Sequence, residues 1–159
     1  MNIVLENHDF VSVWKDTLTN QLLLKSNKEY QIGDSLTSFG NRGVFELPTY
    51  LTVQRSDKEH FLLEPIFLQY INHSCEPNVF FDLEKNELFA LKHIDINEEL
   101  TFFYPSTEWE MTQPFECNCN QLKCLKKIKG AKYIEQTVLS NYKLSSFIVR
   151  KVKEGVFAL

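Results

Sequence analysis

The chain has 159 residues, a formal net charge of −4, 43% hydrophobic residues and 24% charged ones, the composition of one globular domain with a core of its own. No run of about 18 apolar residues exists, so no membrane-spanning helix is expected. The start Met1-Asn2-Ile3-Val4-Leu5-Glu6 has neither the basic residues nor the apolar stretch of a secretory signal, which leads to an expected cytoplasmic, reducing setting, with nuclear or host-delivered locations left open. Basic residues gather only near the C-terminus, so direct nucleic-acid binding is not expected, and the mild acidity would suit a basic peptide partner.

In chain order, His8-Asp9-Phe10-Val11-Ser12-Val13-Trp14 reads as a short strand and Gln21-Leu22-Leu23-Leu24-Lys25 as a second. Gly33-Asp34 marks a turn, and Asn41-Arg42-Gly43 reads as a surface turn. Residues 49–55 are rich in β-branched and aromatic side chains and predict a strand. A polar turn at 56–60 then leads to Phe61-Leu62-Leu63-Glu64, the partner strand of a hairpin. Pro65 opens a short segment over 66–70. Residues 78–82 and 88–91 predict two more strands around a charged turn. The turn at 93–97 carries Asn97, a residue that tolerates positive φ, and 100–104 extends again. Residues 105–111 are expected to form a loop and short helix. From 131 onward the apolar period becomes helical, at Tyr133, Ile134, Thr137 and Val138, then Leu144, Phe147, Ile148 and Val152, predicting two short amphipathic helices.

The organising stretch is Tyr70-Ile71-Asn72-His73-Ser74-Cys75-Glu76-Pro77-Asn78. It is a polar knot between two apolar runs, and such a knot is costly to bury unless its groups are paired or carry chemistry. Asn72-His73-Ser74-Cys75-Glu76-Pro77-Asn78 resembles a signature of SET-domain protein-lysine methyltransferases. Ile96-Asn97-Glu98-Glu99-Leu100-Thr101-Phe102-Phe103-Tyr104 resembles the second signature, usually Gly-Glu-Glu-Leu-Thr-Phe/Tyr-Asp-Tyr. Cys117-Asn118-Cys119, followed by Cys124, resembles the post-SET cysteine triplet. The resemblance covers 66–124 well and 1–65 poorly. Near the start, Leu22-Leu23-Leu24-Lys25 followed by Ile32-Gly33-Asp34-Ser35-Leu36 matches the spacing of the family's donor-cradling strand but lacks its glycines. Gly43-Val44-Phe45 matches that strand by eye but lacks the segment that should follow it. The first placement is preferred.

The resemblance implies a mainly β fold of the β-clip-like SET type with short helices: several small twisted sheets, a pseudoknot of the two signature segments, a zinc-tied post-SET loop and C-terminal helices. The division expected is a core over 1–112, a zinc segment over 113–130 and a helical tail over 131–159. The four cysteines, Cys75, Cys117, Cys119 and Cys124, suffice for a tetrahedral structural zinc. Two disulfides or four unrelated buried thiols are the alternatives, and a reducing compartment disfavours the disulfides. The function implied is S-adenosylmethionine-dependent methyl transfer to a lysine ε-amine of a protein or peptide. By resemblance Tyr104 is the catalytic tyrosine. Asn72 and His73 hold the donor with Tyr104, and Phe115, Leu125 and Ile128 cover the adenine. Phe102 is expected on the lysine channel, and Tyr70 and Phe80 are expected either to wall that channel or to be ordinary core aromatics. Phe102, without a hydroxyl, implies more than one methyl transfer. Phe103 stands where the family usually has Asp and is expected to face away from Phe102 into the core. A small-molecule acceptor on the same fold, or a non-catalytic zinc-stabilised binding module, is the rival reading.

Overall fold

Strands form where β-branched and aromatic residues cluster, and small sheets result because each run is short. The computed structural model describes residues 1–155. The first sheet is a meander of β1 (Asn2–Asn7), β2 (Val11–Asp16) and β3 (Leu22–Ser26), in that order and antiparallel. Val11, Val13 and Leu24 point into the core. All six residues of β1 are exposed, so it has no apolar period for the sequence to betray. It is held by its backbone ladder to β2. The β2–β3 turn is stitched by Asp16, whose carboxylate accepts the N–H groups of Leu18 and Thr19 at 2.7 and 3.1 Å. Asn20 closes the turn at φ 60°, left-handed backbone that asparagine tolerates.

A second sheet joins β4 (Ser35–Ser38), β9 (Val79–Asp82) and β10 (Glu87–Ala90), with β10 in the middle. A third joins β5 (Gly40–Phe45), β6 (Thr52–Ser56) and β7 (Glu59–Glu64), with β7 in the middle. The surface turn expected at Asn41-Arg42-Gly43 is therefore corrected: these residues lie within β5. The pairing with β7 slips between Asn41 and Gly43, and nearly every residue of β5 is exposed, so the segment has the composition of a turn and the backbone of an edge strand. The predicted hairpin over 49–64 is found as β6 and β7. Residues Ile66–Tyr70 form a 3₁₀ helix that carries Phe67 and Leu68 into the main core.

The two signature segments pair in parallel through β8 (Asn72–His73) and β11 (Thr101–Phe102). Asn78, 2% exposed, joins them. Its side-chain amide donates to the Glu99 carbonyl at 2.8 Å and to Glu98 Oε1 at 3.0 Å, and its Oδ1 accepts the Thr101 N–H at 2.8 Å. Its own N–H donates to the Thr101 carbonyl, and its carbonyl accepts the Leu91 N–H. Asn97 turns the chain at φ 68°, the conformation expected of it.

Beyond the second signature, β12 (Phe115–Glu116) pairs with β13 (Lys127–Ile128), framing the cysteine segment. The tail carries α1 (Gln136–Leu139) and α2 (Ser146–Lys153), the latter capped by Ser145 Oγ, which accepts the Ile148 N–H at 3.3 Å. The predicted helices are shorter than their periodic pattern. Gly130 precedes them at φ 116°, and a Cβ there would lie 2.4 Å from the Trp109 carbonyl oxygen, so no other residue fits without a backbone shift.

Three apolar clusters fill the molecule. The largest takes residues from Phe10 to Phe102. A second gathers Phe103, Trp109, Leu139, Phe147 and Ile148, and a third surrounds Cys75, Cys117 and Ile128. Adjacent residues thus enter different cores: Phe102 packs edge-on against Phe81 at 4.9 Å, and Phe103 stacks on Tyr142 at 3.7 Å, nearly parallel. Phe103 can replace a charged residue because the tail supplies a ring to cover it.

Replacing Asn78 with Ala removes the side-chain partners of the Thr101 N–H and the Glu99 carbonyl from the buried crossing. A loss of about 3 kcal/mol is expected, read as a lower urea midpoint with an unchanged slope.

Candidate active site

Two depressions meet at Tyr104. One is a polar cleft of about 660 Å³ bordered by Asn72, His73, Glu76, Glu98, Glu99 and the loop 116–121. The other is a cavity of about 300 Å³ walled by residues 48–53, Leu68, Ile71, Phe102, Glu108 and 111–115. Tyr104 and Phe115 line both.

The parallel pair β8–β11 sets this junction. Pairing Phe102 with His73 leaves Tyr104 two residues beyond, where its N–H donates to His73 Nδ1 at 3.2 Å and its hydroxyl donates to the Ile71 carbonyl at 3.2 Å. Burial pushes the Tyr104 phenol up to about 12, with Glu108 and Glu99 adding to the effect, so it acts as a neutral hydroxyl near pH 7. Its lone pairs are left to accept. Burial pushes the His73 imidazole down to about 4, so the ring is neutral. Because Nδ1 accepts a backbone N–H, the ring proton belongs on Nε2, which lies 3.4 Å from Cys75 Sγ. Phe103, Tyr104 and Phe115 surround the ring with centroids 5.3–5.7 Å away.

Asn72 borders the cleft. Its amide donates to the Leu22 carbonyl at 3.0 Å and to Glu99 Oε1 at 3.3 Å, so the β2–β3 hairpin forms one rim, with Gln21 on the cleft. Leu22 opens the stretch Leu22–Lys25 named in the preferred donor-cradle placement, and Asn20, two residues before it, has a left-handed backbone at φ 60°. Gly43 lines neither depression.

Cys75, Cys117, Cys119 and Cys124 converge, their sulfurs all within 4.8 Å of one another. A tetrahedral zinc with bonds of about 2.3 Å sets its sulfurs roughly 3.8 Å apart, so the set needs only slight contraction to hold such an ion. Cys75 Sγ also accepts the Leu125 N–H at 3.4 Å. Burial pushes the Cys117 thiol up to about 11 and that of Cys75 higher still. At Cys119 burial acts the same way, but backbone N–H groups outweigh it and bring the thiol to about 7. Four crowded thiolates would need a countercharge, which a divalent cation held by this set would supply.

Other expected positions fall elsewhere. Phe102 lines the cavity, but Tyr70 and Phe80 line neither depression. Tyr70 packs half-buried on the main core, and Phe80 is buried under the Lys143 ammonium, 5.1 Å from its ring. Along β9, Phe81 takes the core face and Phe80 the opposite one, an alternation the apolar run concealed. Of the apolar residues expected over an adenine, Phe115 borders the cleft. Leu125 and Ile128 instead pack around the cysteines.

Sequence reasoning missed Glu108. Its Oε2 accepts the Thr107 hydroxyl at 2.6 Å and the Gln54 N–H at 2.9 Å, while Gln54 Oε1 accepts the Trp109 N–H at 3.0 Å. Burial pushes the carboxyl up to about 7, against both bonds. The one available signal was a lone carboxylate between Thr107 and Trp109, just past a signature.

The SET domain family matches residues 5–105. The chain belongs to the SET domain family. Among its relatives, Methyltransferase flvH of Aspergillus flavus is 45% identical over 83 residues, 51% of this chain and 47% of that protein. Histone-lysine N-methyltransferase SET5 of Vanderwaltozyma polyspora is 28% identical over 153 residues, 86% of this chain and 27% of that protein. Histone-lysine N-methyltransferase 2B of Homo sapiens is 37% identical over 62 residues, 35% of this chain and 2% of that protein. The chain thus spans about half the length of the first of these relatives and far less of the others. The methyltransferase domain of human Histone-lysine N-methyltransferase SETMAR shares the fold, with a TM-score of 0.50 over 81% of this chain and 58% of that one at 17% identity. In the described residues no helix is long and apolar enough to cross a membrane.

Glu108 gives the SET domain a pH signature. Its ordinary value, 4.5, applies to the unfolded chain and about 7 to the folded one. Across that window the unfolded chain has released a proton the folded chain still holds, so this contribution to stability is full below about 4.5 and is lost as pH rises through about 7. Glu108→Gln removes this slope. The melting temperature of the variant relative to the wild-type protein is expected to rise from pH 5 to pH 8.

Proposed function

We propose that this chain is a zinc-stabilised, S-adenosylmethionine-dependent N-methyltransferase whose acceptor is the ε-amine of a lysine in a protein or peptide. The observation that carries this reading is the meeting of a polar cleft and a narrow cavity at one neutral tyrosine hydroxyl. Family membership and relatives named as histone-lysine N-methyltransferases support the lysine acceptor.

The cleft fits the donor in size and polarity. At about 660 Å³ it suits a nucleoside bearing an amino-acid chain, and Glu76, Glu98 and Glu99 offer negative charge to a cationic ligand. When bound there, S-adenosylmethionine supplies an electrophilic methyl group. Asn72 and the backbone of β8 form the wall that would hold it, with Phe115 at one side. The Tyr104 hydroxyl, fixed by the Ile71 carbonyl, has lone pairs to orient groups where the two depressions meet. On the other side an amine must arrive neutral. A free lysine, at about 10.4, costs roughly 4–5 kcal/mol to deprotonate at pH 7. Leu51, Val53, Ile71 and Phe102 lower that cost by excluding water. Phe102 adds no hydroxyl that would crowd a nitrogen already methylated, which supports more than one transfer. The cysteine set fits zinc better than other common cations, since four converging thiolates, two of them buried, match its ligand preference.

Metal analysis of the purified protein is expected to give one zinc per chain. Cys124→Ser is expected to lose it, with a melting temperature lower by more than about 10 °C.

Calorimetric titration of the zinc-loaded protein with S-adenosylmethionine is expected to give micromolar binding that Asn72→Ala abolishes. Tyr104→Phe should keep that binding and lose about 100-fold or more in kcat on lysine peptides. Folded, zinc-loaded protein that binds no donor would sink the enzymatic reading in favour of a binding module.

A further inference from the structure

The acceptor cavity holds a carboxylate that packing does not explain. Glu108 sits in the turn that follows Tyr104: its N–H donates to the Tyr104 carbonyl at 3.0 Å, which brings its side chain to the cavity that Tyr104 lines. One oxygen, Oε2, has a structural task. It accepts the Gln54 N–H and the Thr107 hydroxyl, and with the return bond from the Trp109 N–H to Gln54 it ties β6 to the second signature. The other oxygen, Oε1, accepts no hydrogen bond from the described residues, and none of them forms an ion pair with Glu108. A neutral glutamine oxygen would meet both donors at a lower desolvation cost. Glu108 is only half-buried, so Oε1 reaches the open cavity, and a cation entering among its largely apolar walls would meet a carboxylate oxygen with no protein partner.

We propose that Glu108 Oε1 receives the ammonium group of the acceptor amine and takes one proton from it, a role that rests on the methyltransferase reading above. The proton transfer balances simply. One N–H bond of the ammonium breaks, one O–H bond forms at Oε1, and the nitrogen keeps the electron pair as the lone pair needed for attack. The positive charge of the incoming amine and the negative charge of Glu108 disappear together, so the cavity holds a neutral pair. The carboxylic acid then returns its proton to water at the cavity mouth, where Thr49 and Tyr50 are exposed, and is ready for another round. Burial has already brought the carboxyl to about 7, close to the neutral range in which such a group works in both directions. The groups facing Glu108 are the Gln54 N–H from β6, the Thr107 hydroxyl and the neutral Tyr104 phenol; none carries a charge near pH 7. The carboxylate also makes the cavity selective for a primary or partly methylated alkylammonium over a neutral chain of the same shape.

The test uses the full-length zinc-loaded protein and n-butylamine as probe, with Glu108→Gln as the variant. Glutamine can keep both bonds made by Oε2 while turning an N–H donor toward the cavity, and its melting temperature verifies that it is folded. Calorimetry at pH 8, with and without S-adenosylhomocysteine, is expected to show n-butylammonium binding to the wild-type protein at least about 10-fold more tightly than to the variant. Methyl transfer to n-butylamine is expected to fall about 100-fold in the variant, and the rise of the rate through pH 7 is expected to disappear. S-adenosylmethionine binding should be equal in both. Equal amine affinity in the two proteins, or no amine binding by the wild-type protein, overturns the role of Glu108 whatever the donor result. Failure of both proteins to bind S-adenosylmethionine overturns the methyltransferase reading instead, and the amine titration without nucleotide still decides whether Glu108 holds an ammonium.

Discussion

The Asn78 side chain has no freedom left. Each of its polar groups is spent on the crossing of two chain segments: on the Glu99 carbonyl, the Glu98 carboxylate and the Thr101 N–H, while its own backbone engages Thr101 and Leu91. A buried amide with all its partners is rigid, and one with none is costly, so this crossing is close to all-or-none. The two-residue parallel pair of β8 and β11 could not hold itself together; with Asn78 as rivet it presents Asn72 to the cleft and Phe102 to the cavity, with Tyr104 between. β3 reinforces the same junction, since the Leu100 N–H donates to the Leu24 carbonyl and the Ser26 N–H to the Glu98 carbonyl.

The cysteine cluster is built onto this junction. Cys75 is two residues from His73, and the neutral imidazole spans the gap between Cys75 Sγ and the Tyr104 N–H. A sulfur of the candidate metal centre and the backbone of Tyr104 therefore share one ring. Tyr142 closes the arrangement from outside: its hydroxyl donates to the Cys75 carbonyl at 2.9 Å while its ring covers Phe103. Outer contacts of this kind orient the ligands and transmit their position. The C-terminal tail, further held by Lys151 and Arg150 on Asp57, takes part in the site by contact through Tyr142, Phe103 and Cys75.

Much of this was legible in the sequence where chemistry and spacing coincide. Asn72, Cys75, Tyr104 and the late cysteines carry distinctive side chains at fixed intervals, and the structure gathers them. That Phe103 faces away from Phe102 followed from their alternation, whereas its entry into a second apolar cluster did not. What escaped is physical in kind. β1 and β5 are exposed edge strands held by backbone ladders, and backbone bonding leaves no side-chain period to read. Tyr70 and Phe80 were aromatic residues near the right place, but which face an aromatic ring takes in a continuous apolar run depends on the partner layer, here the tail with Lys143. Glu108 was hidden because its importance lies in what surrounds it, namely Gln54 from a distant strand and a cavity wall from 48–53, neither of which its own neighbourhood in the chain announces.

The order in which the cysteines leave the ribosome has a consequence for how the protein matures. Cys75 emerges early, beside a signature segment whose partner strand has yet to be made, and the sulfurs that complete the set follow only at Cys117, Cys119 and Cys124. Tyr142, which shields both Phe103 and the Cys75 carbonyl, comes later still. A growing chain therefore passes through a period in which it displays an uncovered phenylalanine and a lone thiol next to the segment that will form the junction of cleft and cavity. Synthesis rate and thiol-protecting conditions at the moment of release, rather than equilibrium stability alone, would govern the yield of folded protein.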